Sequence, residues 1–228
     1  MFLTTEQLDP NRKNITEAID QNLRSILPVG YIRFLQTYGT GTYCDEIYVH
    51  YPDSENIPAT FRDHTDLWEL NATFTAEDLL QSVQLASTTN GDIIAVTADR
   101  PGKIFILPRH AQNVISIENF QQTLDFFVPW NAEKYYDPNY DQDKEHLSLV
   151  KSTGGLIDIS VIHSLFLRNF SFDFVVNETT QPKYFFKSFG GWAAFDLIYK
   201  NAIQVKFQKA HAGGVKPLLN FLKELIGR

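Results

Sequence analysis

The side chains able to do chemistry in this sequence are few and far apart. Cys44 and His50 are the nearest pairing of a nucleophile with a base. On an extended strand their six-residue offset places both on one face but roughly 20 Å apart, too far to share a proton. His64 has Asp63 and Asp66 beside it, a grouping suited to holding a cation or raising an imidazole pKa, with a solvated acidic loop as the plainer reading. His163 lies among Val161, Ile162 and Leu165 and reads as a core or rim histidine. The chain has no His-Glu-x-x-His, no Cys-x-x-Cys, no Gly-x-x-x-x-Gly-Lys-Ser/Thr and no Gly-x-Ser-x-Gly. Gly39-Thr40-Gly41 lacks the third glycine and the preceding strand of a dinucleotide loop, and reads as a helix stop. The expectation is a protein without catalytic residues, metal ligands or cofactor.

What remains is electrostatic. Asp45, Glu46, Asp53, Glu55, Asp63, Asp66 and Glu69 are opposed over that stretch only by Arg62, and Tyr43, Tyr48, Tyr51, Phe61 and Trp68 are interleaved with them. Carboxylates with aromatic neighbours suit a surface that docks a basic protein: charge speeds and orients the encounter, and aromatics supply buried area. The partner-binding set expected on this ground is Tyr43, Asp45, Glu46, Asp53, Glu55, Asp63, Asp66, Trp68 and Glu69. The competing reading makes the carboxylates a solubilising surface and the aromatics core.

The bulk composition agrees with a folded, soluble chain. Its 228 residues are 43% hydrophobic and carry a formal charge of −7. Residues 1–130 hold 17 acids and 8 bases, a balance of −9, and residues 131–228 hold 10 and 12, a balance of +2. An acidic chain repels phosphate backbones, so direct nucleic-acid binding is disfavoured. A single cysteine leaves no internal disulfide or thiolate zinc site. No apolar run approaches a membrane span, and Met1-Phe2-Leu3-Thr4-Thr5-Glu6 lacks the basic and apolar regions of a secretory signal. The expected location is the cytoplasm, with no membrane partner.

The elements that must position these residues follow from periodicity and caps. Asn14 is placed to cap a helix carrying Ile15, Ala18, Ile19, Leu23 and Ile26. Pro28 suits the first turn of a second helix, which Gly39 ends in a left-handed conformation. A strand over Glu46–Tyr51 precedes a polar loop over Asp53–Asp63. Thr75 and Asp78 resemble a capping box opening a helix through Leu79, Leu80, Val83 and Leu85. Strands over Ile93–Val96, Lys103–Leu107 and Val114–Ile117 lead to a helix from Glu118. Residues 131–145 read as a linker, with its three tyrosines as a reason for it to pack instead. Beyond it, a helix is expected within Leu156–Leu167. Four strands follow, over Phe172–Val176, Lys183–Phe189, Trp192–Tyr199 and Ile203–Phe207, and then a helix beginning at Pro217. The fold class is α+β: a mostly antiparallel sheet with helices packed on one face in a domain over 1–130, then a smaller α+β domain over 146–228. That second region is either a separate domain or an extension of the first sheet. Trp192, after Gly190-Gly191, is expected in strand core, with an exposed apolar patch as the alternative.

Leu27-Pro28-Val29-Gly30-Tyr31-Ile32-Arg33-Phe34-Leu35, followed by Tyr38-Gly39-Thr40-Gly41 and later by Ala86-Ser87-Thr88-Thr89-Asn90-Gly91-Asp92-Ile93-Ile94, resembles the SUKH superfamily in order and spacing over roughly residues 10–128. That superfamily contains bacterial immunity proteins and relatives of yeast glucan-synthesis regulators. The resemblance implies an α+β fold and a non-enzymatic cytoplasmic protein that neutralises a toxin, commonly a nuclease or deaminase, whose basic cleft the acidic surface would fill. The alternative it implies is a regulatory or scaffold module, for example in control of cell-wall synthesis. Residues 131–228 lie outside the resemblance.

Overall fold

Side-chain caps cut the first part of the chain into shorter pieces than its hydrophobic period suggests. The computed structural model describes residues 1–151 and 154–227. The chain divides into two units, Leu8–Asn139 and Met1–Gln7 with Tyr140–Arg228. It opens with β1 (Phe2–Leu3), which belongs to the second of these.

In the unit Leu8–Asn139, Asp9 starts a 3-10 turn over Pro10–Asn14 by accepting from the Asn11 N–H. The single helix expected from Asn14 to Ile26 is two: α1 (Ile15–Ala18) and α2 (Gln21–Ile26). Asn14 makes no side-chain cap, Ile19 is extended (φ −83°, ψ 132°), and the Asp20 carboxylate accepts from the N–H groups of Asn22 and Leu23. A side chain that satisfies two otherwise unpaired N–H groups makes a fresh helix start as favourable as continuation. α3 (Val29–Tyr38) begins one residue after Pro28, which is its extended N-cap (ψ 133°) and not part of its first turn, and it ends as expected at Gly39 with φ 74°.

The chain then turns through β2 (Gly41–Tyr43) and β3 (Ile47–Asp53). The polar segment after Asp53, expected as a loop, contains α4 (Asn56–Phe61), because Asp53 Oδ1 accepts from the N–H of Glu55 and Asn56 and because Ile57 is fully buried. The Thr75–Asp78 capping box forms in both directions and opens α5 (Ala76–Leu80). That helix stops early, and Val83 and Leu85, expected on it, lie on β4 (Val83–Thr88), where pairing on both sides and burial of both side chains override the helical period. β5 (Ile93–Val96), β6 (Ile104–Leu107), β7 (Ile115–Ile117) and α6 (Phe120–Phe127) complete the run. Residues 131–145, expected as a linker, carry strands: β8 (Tyr135–Pro138) pairs with β2, and Tyr135 and Tyr136 are buried. The strands of this unit follow the order β8-β2-β3-β4-β5-β6-β7, antiparallel at every step. Every residue of β5 and β6 is buried, so the centre of the sheet is covered on both faces.

The second unit holds β9 (Gln142–Ser148), α7 (Ile159–Asn169), β10 (Phe174–Val176), β11 (Lys183–Phe186), β12 (Gly191–Phe195), β13 (Ala202–Gln208) and α8 (Ala212–Ile226). Asp158 caps α7 through the Ser160 N–H. Pro217 lies inside α8 and does not begin it. The five-stranded antiparallel sheet runs β10-β11-β12-β13-β9, so the expected meander of four gains β9 at its edge. Tyr184, Phe186, Ala193, Phe195, Ile203 and Val205 on one face pack against Ile159, Ile162 and Phe166 of α7 and Val215, Leu218 and Leu222 of α8. On the other face Trp192 is buried with Lys183 Nζ 4.2 Å from its ring, so it forms no exposed apolar patch. Residues 1–7, expected with the first domain, are held in this unit. The Phe2 ring stacks on Phe174 at 4.7 Å, and the Thr5 hydroxyl donates to Gln208 Oε1 at 2.6 Å. The overall class is α+β.

Two predictions follow from close approaches in these sheets. A Cβ at Gly191 would lie 1.8 Å from the Lys206 carbonyl oxygen, so Gly191→Ala forces β12 from β13 and should lower stability by about 3 kcal/mol in denaturant unfolding. His163, half-buried with Nε2 2.7 Å from the Tyr184 hydroxyl, has its pKa lowered by burial. His50 in the other unit is also lowered, by burial, against a smaller opposing effect of Asp53. Below the ordinary histidine pKa the unfolded chain therefore binds more protons than the folded one, and stability falls as pH drops from 7.5 to about 5.5. Urea unfolding of His163→Gln should show a shallower fall than the parent; an identical slope would exclude His163 as a source.

Candidate binding cleft

The expected partner-binding residues do not form one surface. Tyr43 and Trp68 are core, 2% and 7% exposed. The Trp68 indole N–H donates to the Pro108 carbonyl at 2.9 Å and its ring meets Phe61 edge-on. Asp45 and Glu46 are half-buried in the turn between β2 and β3, where Asp45 adopts φ 58° and bonds the Tyr135 hydroxyl. They lie at the opposite end of β3 from Asp53, a separation of roughly 20 Å along a strand of this length. Asp53, Glu55, Asp63, Asp66 and Glu69 are exposed, and among the described residues none of these five forms an ion pair.

Cys44 and His50 are each engaged elsewhere. Cys44 Sγ accepts from the Tyr135 N–H at 3.3 Å and donates to the Tyr135 carbonyl at 3.5 Å, while burial pushes its thiol pKa up. His50 Nε2 lies 2.9 Å from the Ser87 hydroxyl. A thiol held protonated and an imidazole on another partner do not make a nucleophile and base. Among the described residues no group of three or more His, Cys, Asp or Glu is placed to hold a metal ion, and no helix is long and apolar enough to cross a membrane.

The break between α1 and α2 opens a cleft of about 440 Å³ against the end of β3. Ile15, Ile19 and Leu23 provide its apolar lining, and Asp9, Asp20 and Tyr51 its polar groups. The residues follow from local structure. Ile15, Ile19 and Leu23 recur at helical spacing, and the extended Ile19 stands at the break. Asp9 and Asp20 are there because each caps a helical segment. Tyr51 follows Ile47 and Val49 at strand spacing, but unlike them it is 41% exposed, past a register irregularity between Val49 and Asp53. Its hydroxyl donates to Asp9 Oδ2 at 2.8 Å. Burial, then that bond and the Asp9 charge, push its pKa up to about 12, so it remains a donor. None of the residues lining this cleft is basic. An adjoining depression is bordered by Glu17, Asp20 and Arg24.

Sequence reasoning passed over this site because its carboxylates lie outside the acidic stretch 45–69. The signal available was Asp20, a strong capping residue interrupting an otherwise continuous apolar period. Comparison with protein-family models, with curated proteins and with solved structures finds no match to this chain.

The Tyr51–Asp9 bond makes the two side chains energetically coupled. Tyr51→Phe, Asp9→Ala and the double variant should show a coupling of about 0.5–1 kcal/mol in a double-mutant cycle of unfolding. Strict additivity would mean that the bond contributes nothing in solution.

Proposed function

We propose that this chain is a non-enzymatic, cytoplasmic immunity protein that binds and neutralises a basic protein toxin of the nuclease or deaminase kind. The observation that carries the reading is the exposure of Asp53, Glu55, Asp63, Asp66 and Glu69 within one short stretch whose only lysine or arginine is Arg62. Unpaired exposed carboxylates at this density set up a local negative field that attracts a basic partner and orients it before contact. The order and spacing of the SUKH-like blocks around Leu27-Pro28 and Gly91-Asp92 support the choice of a toxin as that partner. A nuclease cleft built for phosphates is the surface such an acidic edge complements. The docking surface is narrower than the sequence suggests: Tyr43 and Trp68 are core residues, and Asp45 is engaged with Tyr135.

The direct test is co-expression with a toxin encoded immediately beside this chain. Rescue of growth and a stable complex are expected; neither appearing would sink the proposal for that pair. In stopped-flow measurements, Asp63→Lys with Asp66→Lys should slow association by about tenfold at low salt and flatten its salt dependence. Unchanged rates would move the interface away from this edge.

A further inference from the structure

We propose that the cleft between α1, α2 and the end of β3 receives a lysine or arginine side chain of a protein partner, its aliphatic stem lying on Ile15, Ile19 and Leu23 and its cationic head facing Asp9 and Asp20. The inference rests on the reading of this chain as a binder of a basic protein.

Three features of the cleft converge on that occupant. Its lining joins three branched apolar side chains to two carboxylates and contains no lysine or arginine. A hydrated cation has no use for the apolar lining. A purely apolar occupant would strip water from Asp9 and Asp20 without replacing it, which is unfavourable for ionised groups. A long aliphatic side chain with a charged end satisfies both halves at once. The carboxylates are also held in place. Asp9 is fixed by the Tyr51 hydroxyl at Oδ2 and the Asn11 N–H at Oδ1. Asp20 is fixed at Oδ1 by the N–H groups of Asn22 and Leu23. Little side-chain entropy is then lost when a cation arrives. A volume of about 440 Å³ falls within the range of about 300–1,000 Å³ typical of ligand pockets. It exceeds a single side chain, so the residues flanking the base also enter.

The same geometry supplies a clean variant. Asparagine caps helices as well as aspartate does; at position 9 its carbonyl oxygen keeps the Asn11 N–H, and its amide nitrogen, standing where Oδ2 was, donates to the Tyr51 hydroxyl oxygen. Asp9→Asn with Asp20→Asn therefore removes both charges while keeping both caps. The full chain, labelled at isoleucine and leucine methyl groups, is titrated with acetyl-Leu-Lys-Leu-amide and with its uncharged norleucine counterpart. The lysine peptide should shift the methyl signals of Ile15, Ile19 and Leu23 saturably. The norleucine peptide should bind at least about fivefold more weakly, and the double variant should lose the lysine peptide by a similar factor. Equal binding of the two peptides, a double variant that binds the lysine peptide like the parent, or no saturable shift would each overturn the inference. The two proposals fail separately. Full neutralisation of a toxin by the double variant would remove the cleft from the interface and leave the immunity reading intact. Cleft binding of the lysine peptide without capture of any neighbouring toxin would do the reverse.

Discussion

A tyrosine hydroxyl buried away from water must find an acceptor, and in the unit Leu8–Asn139 that requirement falls on Tyr31. Its side chain is fully buried, its hydroxyl donates to the His50 carbonyl, and its ring meets Phe120 edge-on at 5.3 Å. One side chain on α3 thereby binds β3 by a hydrogen bond and α6 by ring packing. Because the acceptor is the backbone of His50, the bond also fixes where Tyr51 and Pro52 emerge from the sheet. Those two residues line the cleft. Leaving such a hydroxyl or its carbonyl unpaired costs more than the bond contributes when made, so the position of this strand end is strongly specified.

The acidity of the first half of the chain divides into two populations. Asp9 and Asp20 cap helical segments, Asp53 accepts from the N–H groups of Glu55 and Asn56 where α4 begins, and Asp78 closes the α5 capping box opposite Thr75 while 5% exposed, with an Arg100 nitrogen 3.7 Å from its carboxylate. Asp45 holds a tight turn at positive φ and bonds Tyr135. These carboxylates are spent on folding a chain of short helices, each of which has N–H groups to satisfy. Glu55, Asp63, Asp66 and Glu69 have no such duty. Asp9, Asp20 and Asp53 belong to both populations, since a capping carboxylate at an open position keeps its charge in contact with solvent.

The second unit solves a different problem. Its core is unusually aromatic: Phe166 alone meets Phe170, Tyr184, Phe186 and Phe195. Offset and edge-on ring contacts stabilise a small sheet beyond what buried area alone provides. The lysines that give this half its slight positive balance are partly built into the sheet. Lys183 is 8% exposed, with its ammonium over the Trp192 ring, and Lys144 lies 5.5 Å from the same ring. A sum of side-chain charges treats such groups as surface, which they are not.

Local chemistry was enough to read the Thr75–Asp78 capping box, the Pro28 start and Gly39 stop of α3, the Asp158 cap and the α+β class. Each depends on residues within a few positions of one another, whose hydrogen bonds or backbone angles are available before any tertiary contact forms. Three things were decided only by the folded chain. Val83 and Leu85 became strand because β3, far earlier in the chain, pairs with β4 on one side while β5, joined to it by a short turn, pairs on the other. Tyr135 and Tyr136 entered a sheet because β2, about ninety residues earlier, offered an unpaired edge. Asp9, Asp20 and Tyr51 came together because a bend between two helices and an irregularity in a strand met in space. Charge and periodicity identified an acidic half and ruled out familiar catalytic motifs. They did not identify which carboxylates face outward, because that depends on contacts between segments far apart in the chain.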